Sequence, residues 1–173
     1  MKRTLLLLML CALTGPGVPL WAQTGQCTHS GWVQDKDKNG TNIRATPSSN
    51  GKVVTLFPFP KEDGEQVIVN AIGYDSGWLN IRFAETVDGT KLLDRAAWIS
   101  GKMVTASVET KNSKPATLYA APTRKSRKVA TIPNETLIAI AGFDCFGFKI
   151  SYKGKTGWLS QDDTCGNPVT TCP

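Results

Sequence analysis

Two stretches of this chain are apolar and partly β-branched: Gln66–Ile72 (QVIVNAI) and Leu137–Ala141 (LIAIA). Each is followed by strict alternation. Leu79, Ile81 and Phe83 alternate with Asn80 and Arg82, and Phe148, Ile150 and Tyr152 alternate with Lys149 and Ser151. A period of two with one apolar face predicts half-buried β-strands. Gly and Pro interrupt the chain every ten residues or so, the spacing of a small barrel or sandwich. Helical periodicity is confined to Lys91–Ala97 (KLLDRAA), which predicts two turns at most. The pattern therefore predicts an all-β fold.

The same pattern occurs twice. NIRATPSSNGKVVTL (Asn42–Leu56) aligns with TLYAAPTRKSRKVATI (Thr117–Ile132), placing Ala45 and Pro47 on Ala120 and Pro122. After one inserted residue, Lys52, Val53 and Thr55 fall on Lys128, Val129 and Thr131. GYDSGWLNIRF (Gly73–Phe83) aligns without gaps with GFDCFGFKISY (Gly142–Tyr152), and Trp98-Ile99-Ser100 falls on Trp158-Leu159-Ser160. Three blocks in one order define two repeats. We place them at 30–106 and 107–165, with a polar joint over Glu109–Lys114 too short to let them swing freely. Residues 23–29 precede them, and a turn-rich, Cys-containing tail (166–173) follows.

Asn42-Ile43-Arg44-Ala45-Thr46-Pro47-Ser48 resembles the N-[VI]-R-x-x-P-S opening of bacterial SH3-type (SH3b) domains. Gly77-Trp78-Leu79-Asn80-Ile81 is similar to that family's G-W-x-x-[VI] strand. Trp98-Ile99 and Gly154-Lys155-Thr156-Gly157-Trp158-Leu159 are similar to its closing hairpin and strand. The resemblance covers nearly all of 30–165, twice. It implies two tandem small SH3-like β-barrels, a noncatalytic binding role, and contact with peptidoglycan at the cell wall. The second repeat departs from the pattern. Thr117-Leu118-Tyr119 stands in the opening motif, and Gly147 stands where the first repeat has Trp78, with Phe146 beside it. The first repeat also has 14 residues between Phe83 and Trp98, against five between Tyr152 and Trp158.

Residues 1–22 have the layout of a secretory signal peptide: Lys2 and Arg3, an apolar run Thr4–Leu13, then Ala22 at a plausible cleavage point. The apolar run is too short to span a bilayer, which needs roughly 20 residues. No transmembrane span is expected after its removal, and the protein is expected to be exported to the periplasm, cell surface or medium. Without residues 1–22, 18 basic residues face 14 acidic ones, a net +4. That is too little charge for a dedicated nucleic-acid binder.

Four cysteines remain: Cys27, Cys145, Cys165 and Cys172. An even count in an exported small protein predicts disulfides rather than a metal site, and modules of about 60 residues need such staples. Three connectivities are open. If all four pair, one bridge must join Cys27 to the second-repeat side. Cys145–Cys165 with Cys27–Cys172 is the arrangement favoured here, leaving the two modules packed and stapled together.

Catalytic sets are missing. There is one histidine, His29, expected to be exposed beside a bridged Cys27, and no Ser–His–Asp set can be built from it. Glu62, Asp63 and Glu65 surround Gly64 in a turn, an unsuitable frame for paired catalytic carboxylates. No enzyme activity and no cofactor are expected. Recognition falls instead to aromatic and basic side chains. Trp98 and Trp158 are expected to fill the cores. Tyr74, Trp78, Phe146 and Tyr119 are candidate stacking residues. Arg124, Lys125, Arg127 and Lys128 form a basic run with a single counterpart, Lys52, in the first repeat. The expected partner is an anionic cell-wall glycan or its peptide, and the alternative is an envelope protein docked by an adaptor. The sequence is silent on oligomeric state.

Overall fold

The computed structural model describes residues 27–62, 64–170 and 172. The expected leader, 1–22, and Asp63 lie outside them. The described chain is all-β, its only helical segments being short 3₁₀ turns.

The strands are β1 (His29–Val33), β2 (Thr41–Arg44), β3 (Val53–Phe57), β4 (Val67–Asp75), β5 (Trp78–Thr86), β6 (Lys91–Leu93) and β7 (Ala97–Ser100). They continue with β8 (Val104–Val108), β9 (Ala116–Tyr119), β10 (Lys128–Ile132), β11 (Leu137–Asp144), β12 (Gly147–Tyr152), β13 (Lys155–Ser160) and β14 (Thr164–Cys165). One hydrogen-bonded path runs β10-β9-β13-β12-β11-β8-β1-β4-β5-β7-β2-β3, with β14 on β8 and β6 on β5. The path ends at β10 and β3 and does not close on itself.

The order is a repeat folded about its centre. In the first set β1 pairs with β4, β4 with β5, β5 with β7, and β7 with β2. In the second set β8, β11, β12, β13 and β9 pair in the same succession. β8 thus has two positions at once. It closes the first set by pairing with β1, and it opens the second by pairing with β11. β14 then pairs with β8 as β8 pairs with β1. The strand crosses the boundary between residues 106 and 107 where the sequence divides the repeats and ends just before the polar joint, so the two sets share backbone hydrogen bonds.

Burial follows the alternation. Leu79 and Ile81 on β5, and Phe148 and Ile150 on β12, are fully buried, while Arg82 and Lys149 face outward. Phe57, Ile43, Ile99, Leu118, Ile132 and Leu159 complete one continuous apolar cluster that takes in both sets. Every residue of β8 is buried, although VTASV is only weakly apolar. Its place between β1 and β11 buries it, not its hydrophobicity.

Several expectations are corrected. Lys91–Ala97 is not helical: Lys91–Leu93 pairs with β5, and Ala97 begins β7. Hydrogen bonds to an adjacent strand outweigh the propensity of so short a segment. The disulfides are Cys27–Cys145 and Cys165–Cys172, not the pairing favoured from the sequence. One bridge does join Cys27 to the second-repeat side. His29 is buried, not exposed. Its Nε2–H donates to the carbonyl of Asp144 at 2.7 Å, and its ring packs on Phe143 and Phe148. Trp98 and Trp158 are half-buried rather than core residues, because their inward neighbours are Ala97 and Ile99, and Gly157 and Leu159.

Candidate functional site

Cross-strand neighbours share a face of a sheet. In the second set the register aligns Lys128 with Tyr119, Tyr119 with Trp158, Trp158 with Lys149, and Lys149 with Gly142. Lys149 is exposed between buried Phe148 and Ile150, so this row faces outward. The result is a Tyr–Trp pair with a lysine at each end. Gly142 fits this row because a Cβ there would stand 2.8 Å from Lys149 Cβ.

Tyr119 itself is covered. Phe146 meets it edge-on, with ring centroids 5.8 Å apart. The half-buried Trp158 is therefore the stacking face that this row offers to solvent. Arg124 stands beside the row, and its charge is largely committed. Nη2 donates to Ser160 Oγ at 3.0 Å and to Asp162 Oδ2 at 3.2 Å, and Nη1 lies 3.5 Å from Asp163 Oδ2. Burial pulls the Arg124 guanidinium down, but Asp163, Asp162 and Tyr119 more than offset it and hold it above its ordinary value. Burial pushes the Asp163 carboxyl up, against the pull of Arg124. Lys125, Arg127 and Lys128 are exposed and make no ion pair among the described residues.

The first set carries the corresponding row: Val53, Arg44, Trp98, Asn80, Gly73. Trp78 stands two residues from Asn80 on the same face and lies diagonal to Trp98. Arg44 Nη1 donates to the Gly51 carbonyl at 2.7 Å, so its charge is turned toward its own loop. Tyr74 is elsewhere. It pairs with Leu79, hence lies on the inward face, and packs on the core edge near the Cys27–Cys145 bridge.

The structure thus gathers Tyr119, Phe146, Arg124 and Lys128 into one region and leaves Trp78 and Tyr74 on two faces of the first set. The sequence reading put Lys149 on the polar side of its strand but not among the binding residues, and it placed Trp158 and Trp98 in the cores. Their alternation with buried neighbours was the available signal.

Charge separates the two sets. Residues 30–106 carry nine Lys and Arg against nine Asp and Glu, and residues 107–165 carry nine against five. The surplus of +4 lies entirely in the second set. Glu62 and Glu65 lie in the β3–β4 turn, where Glu65 Oε2 accepts from the Lys61 N–H at 2.7 Å. No helix among the described residues is long and apolar enough to cross a membrane.

No family model matches the chain, and no curated protein matches it. Among solved structures, "Structure of NlpC2 from Trichomonas vaginalis" is similar at 21% identity and a TM-score of 0.33, covering 79% of this chain and 47% of that one. "Structure of NlpC1 from Trichomonas vaginalis" is similar at 22% identity and a TM-score of 0.32, covering 87% of this chain and 51% of that one. The chain spans about half the length of these structures.

Proposed function

We propose that this chain is an exported, noncatalytic binding protein of the cell envelope that holds an anionic wall polymer, peptidoglycan foremost. One observation carries the reading: the outward row Lys128–Tyr119–Trp158–Lys149, in the half of the molecule that holds all the surplus positive charge. An indole face stacks on a sugar ring, and flanking ammonium groups take the carboxylates of the same polymer. Two disulfides support an oxidising, exported setting. A noncatalytic role agrees with the state of the histidine. His29 is buried, and the neighbouring Cys27 is in a disulfide and not a thiol nucleophile.

Cosedimentation of residues 23–173, disulfides formed, with purified peptidoglycan at low and high salt tests this. Stacking predicts a fraction of binding that survives high salt, since screening removes only the lysine contribution. No binding at either salt would sink the proposal.

A further inference from the structure

The two sets do not treat the cleft between their first two loops alike. In the second set this cleft lies between Glu109–Ser113 and Asn134–Glu135, and the chain's own tail lies against it. Pro168, Val169, Thr170 and Cys172 form one wall, and the Cys172 backbone N–H donates to Glu109 Oε2 at 2.8 Å. The tail, a bent loop closed by Cys165–Cys172, is thus tied to this cleft through a side-chain acceptor at the end of the shared strand and forms one wall of a space of about 330 Å³.

In the first set the register places Gln34 where the second has Glu109, and Trp32 where it has Ser107. Here the tail reaches only the rim. A cavity of about 280 Å³ remains, walled by Trp32, Pro58, Phe59, Pro60 and Val67, with Pro168 at the rim it shares with the other cleft. Its polar lining is Gln34, Asp35, Asp37, Thr41 and Gln66, and the Thr41 hydroxyl donates to Asp35 Oδ2 at 2.9 Å. Asp35 and Asp37 stand at the mouth, and Gln66 has a buried Oε1 with no hydrogen-bond partner. A buried acceptor left unpaired is destabilising. The torsion that turns this amide is soft, so an entering N–H donor can draw the oxygen to itself.

We propose that this cleft binds an extended, positively charged peptide segment of a partner protein. An apolar side chain of that segment seats on Trp32 and Phe59. A backbone N–H meets Gln66, and a Lys or Arg next in the strand meets Asp35 and Asp37. The partner's charge follows from the lining, because its charged side chains are the two carboxylates of Asp35 and Asp37. The site is on the opposite set from the wall-polymer row and stands independently of it.

The test is a ¹⁵N NMR titration of the disulfide-bonded protein, at about 0.15 M salt, with two blocked hexapeptides. One alternates Leu and Lys, the other Leu and Glu. The Leu–Lys peptide is expected to shift the Trp32 indole and Gln66 side-chain amide signals, binding at least about tenfold more tightly than the Leu–Glu peptide. Asp37→Asn, which keeps the loop's acceptor to the Asn39 N–H, should shrink that preference to about threefold or less. Gln66→Leu should weaken both peptides while leaving the charge preference intact. Equal binding of the two peptides, shifts confined to residues 107–165, or no shift at millimolar peptide would each overturn the proposal. So would the same shifts on raising protein concentration alone, which would give the cleft to a second copy of the chain.

Discussion

The two disulfides close loops of very different size, and the difference can be measured. Cys27–Cys145 spans 118 residues and Cys165–Cys172 spans seven. On the chain-entropy account, a cross-link over the long span removes about 5 kcal/mol of unfolded-state freedom, and one over the short span about 2.5. Native burial works the other way. Cys165 is fully buried and Cys145 exposed, so truncating Cys165 to Ala adds about 1 kcal/mol to the loss of the short bridge. Cys27→Ala with Cys145→Ala should therefore cost about 1.5 kcal/mol more than Cys165→Ala with Cys172→Ala. That gap corresponds to a Tm lower by about 3–6 °C for a domain of this size. Thermal and urea unfolding followed by tryptophan fluorescence would measure it. The urea m-value should also rise in the long-bridge variant, because its unfolded chain is the more expanded. If the short-bridge variant is equally or less stable, the long bridge acts on something other than the freedom of the unfolded chain.

Three further outcomes follow from the same geometry. Gly147 has φ +152, and a Cβ there would collide with the Leu159 carbonyl and stand 2.7 Å from Gln161 N, whereas Gly154 at φ +75 has nothing within 4 Å. Gly147→Ala should cost about 3 kcal/mol or more, and Gly154→Ala about 1, by chemical denaturation. Because β8 belongs to both sets, fragments 27–103 and 107–173 should each give the collapsed amide spectrum of an unfolded chain, while a well-dispersed spectrum from either would contradict the shared strand. Burial raises the Asp163 carboxyl in the folded protein, so the folded state binds its proton more tightly than the unfolded one. Stability from this group should fall as pH rises through the window just above the ordinary aspartate range, and Asp163→Asn should lack that slope in pH-dependent melts.

The alternating segments were legible because their burial is set locally. Leu79, Ile81, Phe148 and Ile150 are buried as their period of two requires. The internal repeat was legible for the same reason, and strand order reproduces it. What depended on distant partners was not legible. β8 is buried between β1 and β11 with a composition no apolar pattern would mark. His29 is buried because Asp144, Phe143 and Phe148 arrive from the far set. Cysteine pairing turned on where β11 brings Cys145. Trp98 and Trp158 are a different case. Read for size they belong to a core, but read for alternation they face outward, and alternation was the better guide. Of the candidate binding residues, Tyr119 illustrates the limit: its outward register was implicit in the repeat, yet its cover by Phe146 came from a turn that only the folded chain defines.

The central claim is that the Trp158 row holds the wall polymer. Its sharpest test is cosedimentation with peptidoglycan at high salt, comparing the wild-type protein with Trp158→Ala, Lys149→Ala and Trp98→Ala. Each tryptophan is half-buried on an outward face, so both variants should keep the fold, which the amide spectrum will verify. Trp158→Ala should weaken the salt-resistant binding by about five- to twelvefold, in line with one stacking contact of about 1–1.5 kcal/mol. Lys149→Ala should weaken binding at low salt and leave the high-salt fraction nearly unchanged. A folded Trp158→Ala protein that binds as tightly as the wild type, or a loss seen only in Trp98→Ala, would contradict the account.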